Sequence, residues 1–408
     1  MTSSGLQASF DHFTKDMQAK YYPWLFNSPL LFSAERVDHL QRAQSVMLKL
    51  ASYIVDRFDE TESLLPIPTP TKALFHRLRN VPFKGGTFRT DFVIDQDNAL
   101  KLIEVTCRFP LNGYFRSLAL EALILNRGID HLHPMHPISH RGPFLDHFVS
   151  WMGSASRLVV VLGEDTRDNE SKYFSGLLRD ADIDVVTTTL DTLSEEGTAV
   201  LDDAAIIAEL TLDEWVSLPQ PVLDAFMARP LLNDPRLVLL MHDKAFFSFP
   251  QIAPLMRAAL TQDEGAFLQD AFAASYVAEQ SPAIWDEAIA TKDRWILKPR
   301  VLGRSVDIIA GALTGEVEWA QAVNKARDSG RFVLQRWHQS KQLTGMVGAE
   351  AFTGYFAGTL LYWDLNFFGC GMVRVSSHPI SNVTDNRMAV LLTDRTTDPK
   401  SSPTASWI

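Results

Sequence analysis

The stretch that most constrains the fold is FRTDFVIDQDNALKLIEVTCRFP, residues 88–110, which predicts a strand, a tight polar turn and a second strand. Side chains on a strand alternate between its two faces, so Arg89 and Asp91 share the face opposite the apolar residues. On the second strand, the same rule groups Leu102, Glu104, Thr106 and Arg108. The charges of Arg89, Asp91 and Glu104 therefore lie on one side of the hairpin. That side is not expected to pack against an apolar core, because burying unpaired charges there would be costly.

The length of the turn decides which of these charges face each other. A two-residue turn at Gln96 and Asp97 would pair Arg89 with Glu104, whereas a four-residue turn would pair Asp91 with Glu104. A three-residue turn would break the pattern. Two interpretations are open at this point: a solvated sheet face with cross-strand ion pairs, or a site for a metal ion and phosphate.

Composition bounds the class of protein. At 408 residues the chain is long enough for two or three domains, and 46% hydrophobic with 21% charged residues is typical of a globular protein. The formal net charge of −11 argues against nucleic acid as a partner, since no broad basic surface can form. A few local Lys and Arg residues still suffice to bind a small anionic ligand.

The cysteines and the apolar runs bear on the cellular compartment. Cys107 and Cys370 are too few for a disulfide framework or a thiolate metal cluster. The N-terminal residues lack the apolar stretch of a signal peptide, and no run of about 18 apolar residues predicts a membrane span. From these features we expect a cytoplasmic protein without a membrane partner.

Patterns along the chain predict four parts. Residues 1–155 hold the N-terminal helices, one of them at 33–58 after the cap candidate Ser33, and the charged hairpin. Residues 156–235 alternate strand, helix and strand, which predicts a small parallel-sheet α/β domain. Residues 236–395 complete the fold, and residues 396–408 are expected to form a flexible polar tail.

A second motif is WILKPRVLGRS, residues 295–305, which predicts an apolar strand with Lys298 near its end and a loop that contains Gly303 and Arg304. A buried lysine is costly unless its ammonium group meets an anion, and backbone N–H groups in a glycine loop can face phosphate oxygens. The motif lacks the spacing of a P-loop. By itself it is equally compatible with a lysine that extends its ammonium group into solvent from a strand end.

Taken in order, these stretches resemble the ATP-grasp ligases, in particular the circularly permuted branch typified by glutathionylspermidine synthase. Residues 88–106 resemble the metal-binding hairpin of that branch, and LLNDPRLVLLMHDKAFFSF, residues 231–249, resembles the segment that delivers a phosphate-binding lysine. WILKPRVLGRSVDI, FVLQRW and GCGMVR follow in the family's order. The resemblance covers the synthetase part only. It implies a circularly permuted ATP-grasp fold of the α+β and α/β class, into which the small parallel-sheet domain is inserted.

The resemblance also implies roles for individual residues. The metal ligands would be Asp91, Glu104 and Thr106, the last standing where the family has asparagine. The nucleotide would be bound by Lys244, Lys298, Gly303, Ser305, Gln335, Arg336 and Trp337, with the two lysines on the α- and β-phosphates. The transferred phosphoryl group would face Arg89, Arg304 and Arg374, and the substrate carboxylate would be anchored by Arg108 and Arg116. Without the resemblance, Lys244 fits a surface helix and Arg374 fits a structural ion pair.

The function that the resemblance implies is an ATP-dependent carboxylate–amine ligase that forms an amide through an acyl-phosphate. It would use ATP and Mg²⁺, and its partners would be small-molecule carboxylates and amines of amino-acid-like or peptide-like kind. Thr106 leaves open whether one or two Mg²⁺ ions are bound, because its hydroxyl reaches less far than an asparagine side chain. A small-molecule kinase and a non-catalytic nucleotide-binding scaffold are the alternatives. The oligomeric state, including a homodimer, also stays open.

Overall fold

The described part of the protein contains four β-sheets with helices between and around them. The computed structural model describes residues 20–126, 136–139, 141–164, 175–176, 178–179, 183–303, 305–370, 372–381 and 387–393. Its strands are, in chain order, β1 (Leu30–Phe32), β2 (Thr87–Ile94), β3 (Leu100–Thr106), β4 (His136–Pro137), β5 (Arg157–Leu162), β6 (Asp184–Thr189), β7 (Ala204–Glu209), β8 (Ser275–Tyr276), β9 (Trp295–Pro299), β10 (Ile309–Ala310), β11 (Phe332–Arg336), β12 (Gln342–Val347), β13 (Glu350–Trp363), β14 (Asn366–Cys370), β15 (Val373–Ser376), β16 (Arg387–Ala389) and β17 (Leu391–Thr393).

The helices lie mainly in the first two thirds of the chain. The α-helices of the described residues are α1 (Ala34–Asp56), α2 (Phe58–Thr61), α3 (Thr69–Arg77), α4 (Tyr114–Leu125), α5 (Arg141–Met152), α6 (Leu190–Glu196), α7 (Leu212–Ser217), α8 (Gln220–Met227), α9 (Pro235–Met241), α10 (Ala253–Ala259), α11 (Gln262–Ala271), α12 (Pro282–Ala290) and α13 (Glu316–Ser329). Short 3₁₀ helices span Tyr22–Trp24, Ala199–Leu201, Lys244–Gln251, Lys292–Arg294 and Gly311–Leu313. Within these ranges, no helix combines the length and the apolarity needed to cross a bilayer.

The largest sheet has seven strands and carries the charged hairpin. Its order is β16-β15-β13-β2-β3, with β12 and β14 each paired to β13, and all of its pairs are antiparallel. Helix α1 covers its apolar face, and the backbone N–H of Arg36 donates to the Ser33 hydroxyl at 3.3 Å, which caps the helix as predicted. This packing leaves the opposite face of β2 and β3 available for polar groups.

A three-stranded parallel sheet in the order β6-β5-β7 occupies the part of the chain where strand–helix–strand alternation predicts one. Strand β7 is buried along its whole length, as expected for a strand covered on both faces. The parallel pairing agrees with the sequence pattern. The limits 156–235, the insertion of this unit and the circular permutation stay predictions.

A four-stranded antiparallel sheet, in the order β10-β9-β11-β8, forms the second wall of the candidate site. Helices α12 and α13 cover one of its faces, where the buried indoles of Trp285 and Trp319 pack in one cluster with Trp295 of β9. Lys298 of β9 and Gln335 of β11 lie on the other face. The remaining small sheet has the order β1-β17-β4.

The hairpin register corrects one expectation. The backbone N–H of Asp95 donates to the Ala99 carbonyl at 2.9 Å, and Asn98 has a φ of 72°, so the turn has three residues. A β-bulge between Asp91 and Phe92 of β2 and their partners on β3 then leaves Ile103 unpaired and restores Asp91 opposite Glu104. The expectation that a three-residue turn breaks the pattern is therefore wrong, because the bulge compensates for it.

The bulge also separates Leu102 from Glu104. Phe92 pairs with Leu102, and both side chains are fully buried in the core, whereas Glu104 lies on the opposite face beside Asp91. Strict alternation would place Leu102 and Glu104 on one face. The extra residue Ile103 changes the parity between them.

Candidate functional site

A cleft of about 700 Å³, its open mouth included, lies between the seven-stranded sheet and the four-stranded sheet. The first sheet contributes Asp91, Glu104 and Arg374, and the second contributes Lys298, Gln335 and Arg336. Clefts with few, convergent polar groups are the usual form of a small-molecule site. The cleft therefore brings together most of the residues that the sequence singled out.

Two buried lysines surround the carboxylate of Glu104. The Lys244 ammonium group lies 3.0 Å from Glu104 Oε1 and donates to the Leu302 carbonyl at 2.7 Å. The Lys298 ammonium group donates at 3.3 Å to the carbonyl of Ile103, which is the residue that the bulge releases from the ladder. Lys244 and Lys298 are only 1% and 5% exposed, which excludes both the surface-helix and the solvent-reaching interpretations.

The electrostatics keep Glu104 and Lys298 charged at neutral pH. Burial by itself would raise the pKa of Glu104, but Lys244 and Lys298 outweigh it and lower that pKa from 4.5 to about 2. Burial lowers the pKa of Lys298 to about 8, against the attraction of Glu104, which raises it. The result is a carboxylate and a partly desolvated ammonium group at the floor of the cleft, which is an arrangement suited to a bound anion.

Arginines gather at the end of the cleft beside Asp91. Arg89 binds Asp91 through two nitrogens at 2.9 and 3.3 Å and donates to the Asn112 side-chain carbonyl at 3.0 Å. Burial, followed by the nearby charge of Arg89, lowers the pKa of Arg374 to about 10, and Arg116 acts on it in the same direction. Like charges collected around one carboxylate favour an additional anion.

The start of helix α4 adds to this positive end. Gly113 is its N-cap residue and has a φ of 85°, a conformation that favours glycine, and no side chain caps the first turn. The helix dipole attracts negative charge at this end, and Arg116 stands in the first turn. A Cβ built at Gly113 would lie 3.9 Å from Arg89 Nη1, so the helix start adjoins that guanidinium group.

Arg108 lies elsewhere. Its Nε donates to the Leu210 carbonyl at 3.1 Å, and its guanidinium group lies 4.5 Å from the centre of the Phe109 ring. These contacts place the buried Arg108 side chain toward the parallel sheet, where β7 ends at Glu209. Arg116 is thus the predicted carboxylate anchor that acts on Arg374, whereas the charge of Arg108 acts on His242.

The residues predicted as metal ligands form a pair of carboxylates, with a hydroxyl nearby. Asp91 and Glu104 are direct cross-strand partners, and Thr106 is the cross-strand partner of Arg89, two pairs further along. In the parts of the chain that the structure describes, no group of three or more His, Cys, Asp or Glu side chains is arranged to hold a metal ion. Mg²⁺ commonly binds one or two carboxylates together with substrate phosphates, so the donor set fits such an ion without further protein ligands.

Gln335, Arg336 and Trp337, which are predicted to bind the nucleotide, form one wall of the cleft, but two of their backbone donors are already used. The backbone N–H of Arg336 donates to the Ala274 carbonyl at 2.8 Å, and that of Trp337 donates to the Arg294 carbonyl at 2.9 Å. The Gln335 amide donates to Ser275 Oγ at 2.9 Å and to the Ile103 carbonyl at 3.4 Å. A base at this wall could meet carbonyl oxygens and side chains, but not these two backbone N–H groups.

The loop after β9 reaches over the cleft. Ser305 and Asp307 have φ values of 60° and 54°, and the Ser305 hydroxyl donates to the Ser381 carbonyl. Gly303 has no positive φ, and a methyl group at its Cα would meet none of the described atoms within 4 Å. Neither backbone conformation nor close packing against the described residues therefore requires glycine there. Arg304 lies outside the described residues.

Two ion pairs near the cleft were not foreseen from the sequence. Arg300 binds Asp243 through both carboxylate oxygens, and the backbone N–H of Lys244 donates to the Arg300 carbonyl at 2.9 Å, which ties the two lysine-bearing segments together. His338 Nδ1 lies 3.0 Å from Asp95 Oδ2. Asp95 belongs to the charged hairpin within residues 88–110, and His338 directly follows FVLQRW, but only the fold brings the two side chains together.

Comparisons with known proteins bear on the fold. A family model described as the AnkG N-terminal domain matches residues 43–240, a stretch that contains the charged hairpin and ends before Lys244. None of the curated proteins compared with the chain matches it. Among solved structures, the chain is similar to a glutathione synthetase-like effector from Globodera pallida in its apo form, with a TM-score of 0.56 and 13% sequence identity over 95% of this chain and 96% of that chain. The chain thus has a mixed α/β fold of the glutathione synthetase-like type, in line with the predicted ATP-grasp resemblance at the level of fold.

Proposed function

We propose that the protein is an ATP-dependent carboxylate–amine ligase that releases ADP and phosphate. The observation that carries the proposal is Glu104, held between two buried lysines and directly opposite Asp91, in a cleft that ends at a group of arginines. A solvated ion-pair face would not bury its lysines. A site for a polyphosphate and a divalent cation needs this combination of charges.

Each end of the cleft has its own task in this proposal. Lys244 and Lys298 hold phosphate oxygens, and Lys298 is the one that lines the cleft directly. Asp91 and Glu104 would hold Mg²⁺, which when bound supplies charge neutralisation between neighbouring phosphates. The loop around Ser305 excludes water from the cleft. This protects an activated carboxylate, which water would otherwise hydrolyse.

The arginine end accounts for the acid substrate. Arg374, Arg89 and Arg116 would hold the carboxylate and the transferred phosphoryl group in line. A carboxylate oxygen attacks the γ-phosphorus, and the bond from that phosphorus to the leaving oxygen of ADP breaks. The amine nitrogen then attacks the acyl carbon, phosphate leaves with the bond's electron pair, and the amine loses a proton to solvent or phosphate.

The alternative on the same site is a kinase that stops at a phosphorylated product. Its chemistry would use the same lysines and carboxylates but no amine. A ligase releases inorganic phosphate only when an amine is present, whereas a kinase transfers the phosphoryl group without it. This dependence separates the two functions.

The test is a panel of amino-acid-like and peptide-like carboxylates paired with amines, read by phosphate release and by the mass of the product. We expect an amide product with one phosphate released per bond, and we expect Glu104→Ala to abolish turnover in a protein that still unfolds cooperatively. Glu264→Ala, which removes a carboxylate paired with Lys49 at the surface, is the matched control. Near-normal turnover in Glu104→Ala would refute the assignment of the acidic pair.

A further inference from the structure

A histidine on the wall of the cleft is held in one orientation. His338 Nδ1 lies 3.0 Å from Asp95 Oδ2, while Asp95 Oδ1 accepts from the backbone N–H groups of Asp97 at 3.1 Å and Ala99 at 2.9 Å. The segment after His338 is fixed to the end of β2, since the backbone N–H of Lys341 donates to the Ile94 carbonyl at 2.9 Å. Both partners of the pair are therefore positioned before any ligand arrives.

The protonation state of the imidazole follows from its surroundings. Burial lowers the pKa of His338 and outweighs the hydrogen bond that the ring donates to Asp95, which raises this pKa, and the charges of Lys101 and Arg336 lower it further. The ring is thus neutral at pH 7, with its one N–H on Nδ1 donated to Asp95. The other nitrogen, Nε2, is a hydrogen-bond acceptor, and it has no partner among the residues that the structure describes.

The position of this acceptor along the cleft fits a nucleoside. His338 lines the cleft, and its side chain is 23% exposed. A strand rises about 3.3 Å per residue, so Asp95 lies about 13 Å along β2 from Asp91 and about 20 Å from Arg89. The separation from Asp91 matches a nucleotide whose phosphates lie at Asp91 and whose nucleoside lies beside Gln335 and Trp337.

We propose that His338 Nε2 accepts a hydrogen bond from a neutral donor of the bound nucleoside, and that Asp95 is the positioning residue that keeps Nε2 free of its proton. The donor is a sugar hydroxyl or the exocyclic amine of the base, since these are the neutral donors that a nucleoside offers. The inference rests on the nucleotide-binding part of the proposed function and adds the residue that selects the nucleoside.

The first experiment measures affinity by calorimetry for wild-type protein and His338→Phe, which keeps a planar ring but removes the acceptor. The ligands are ATP, 2′-deoxy-ATP, 3′-deoxy-ATP and the triphosphate of purine riboside, which lacks the 6-amino group. A neutral hydrogen bond is worth roughly a fivefold change in affinity. We expect one of the three analogues to bind wild-type protein about fivefold more weakly than ATP, and we expect His338→Phe to bind that analogue and ATP equally.

The identity of that analogue distinguishes a sugar hydroxyl from the base amine. His76→Phe, a change at a histidine of helix α3 paired with Glu62, is the matched control and should keep the wild-type pattern. If the affinity of every analogue relative to ATP is the same in wild-type protein and in His338→Phe, the proposed hydrogen bond does not exist. If wild-type protein binds ATP but shows this result, only the histidine inference fails, whereas absence of any nucleotide binding overturns the proposed function as well.

A second experiment tests the orienting role of Asp95. Asp95→Asn can donate to Nδ1, so the ring would carry its proton on Nε2 and present a donor instead of an acceptor. We expect ¹⁵N NMR of the imidazole to show this exchange of tautomers, and we expect the preference for ATP over the sensitive analogue to disappear. An unchanged tautomer together with an unchanged preference would show that Asp95 does not position the ring.

Discussion

Replacing Glu104 with glutamine tests the electrostatics of the site most simply, because it removes one charge and keeps the shape of the side chain. The lysines lower the pKa of Glu104 from 4.5 to about 2, a difference of about 2.5 units. At 1.36 kcal/mol per unit, the charged carboxylate contributes about 3 kcal/mol to the free energy of unfolding. A carboxyl group whose pKa is depressed on folding gives this stability above pH 4.5 and loses it as the pH falls through about 2.

We therefore expect Glu104→Gln to lower the free energy of unfolding by about 3 kcal/mol at pH 7, in agreement with the cost of breaking a buried ion pair. Urea denaturation measures this difference, which should shrink as the pH is lowered from 4.5 toward 2. Glu60→Gln, at an exposed pair with Arg57, is the control and should leave stability unchanged within error. A Glu104→Gln protein as stable as wild type at pH 7 would show that the lysines do not depend on this carboxylate.

Two further predictions concern other charged groups. Burial raises the pKa of Glu121 in helix α4 to about 7, so the folded protein holds a proton that the unfolded chain releases between pH 4.5 and 7, and stability is lost over that interval. Glu121→Gln should then raise the free energy of unfolding by about 3 kcal/mol at pH 8 and by little at pH 4.5, as measured by urea denaturation, and a pH-independent effect would contradict the assignment. For a ligase substrate found in the panel, Arg116→Ala and Arg374→Ala should raise the KM for the acid about tenfold or more, whereas Arg108→Ala should change it little. The opposite order would place the carboxylate at the parallel sheet instead.

Much of the site could be predicted because it depends on short-range patterns. The alternation of side chains along β2 is enough to place Arg89 and Asp91 on the same face. A lysine in an apolar strand, such as Lys298, predicts a nearby anion, because burying an unpaired ammonium group is costly. The parallel pairing of β5, β6 and β7 likewise follows from alternating strands and helices. These features depend on residues that are close together in the chain, so the sequence pattern alone predicts them.

What could not be predicted depends on irregular backbone or on distant parts of the chain. The bulge at Ile103 moves Leu102 into the core, and no residue type at that position predicts a bulge. Arg108 and Arg116 lie eight positions apart with similar surroundings in sequence, yet one contacts Leu210 and the other joins the arginine group. The side chain of His338 meets Asp95 across 243 positions.

Binding of Mg·ATP to the wild-type protein and to Lys298→Ala, followed by calorimetry, tests the central claim most directly. Lys298 lines the cleft, and its charged form is the one that attracts phosphate. Burial lowers the pKa of Lys298 to about 8, so the ammonium form is present below that pH and is lost as the pH rises through it. Lys325→Ala, at an exposed lysine of helix α13, changes the net charge equally and serves as the control.

We predict that wild-type protein binds one equivalent of Mg·ATP and that its affinity declines above pH 8. We also predict that Lys298→Ala binds about tenfold more weakly or worse, while Lys325→Ala binds like wild type. Failure of the wild-type protein to bind Mg·ATP, or equal binding by Lys298→Ala, would contradict the assignment of the cleft as a nucleotide site.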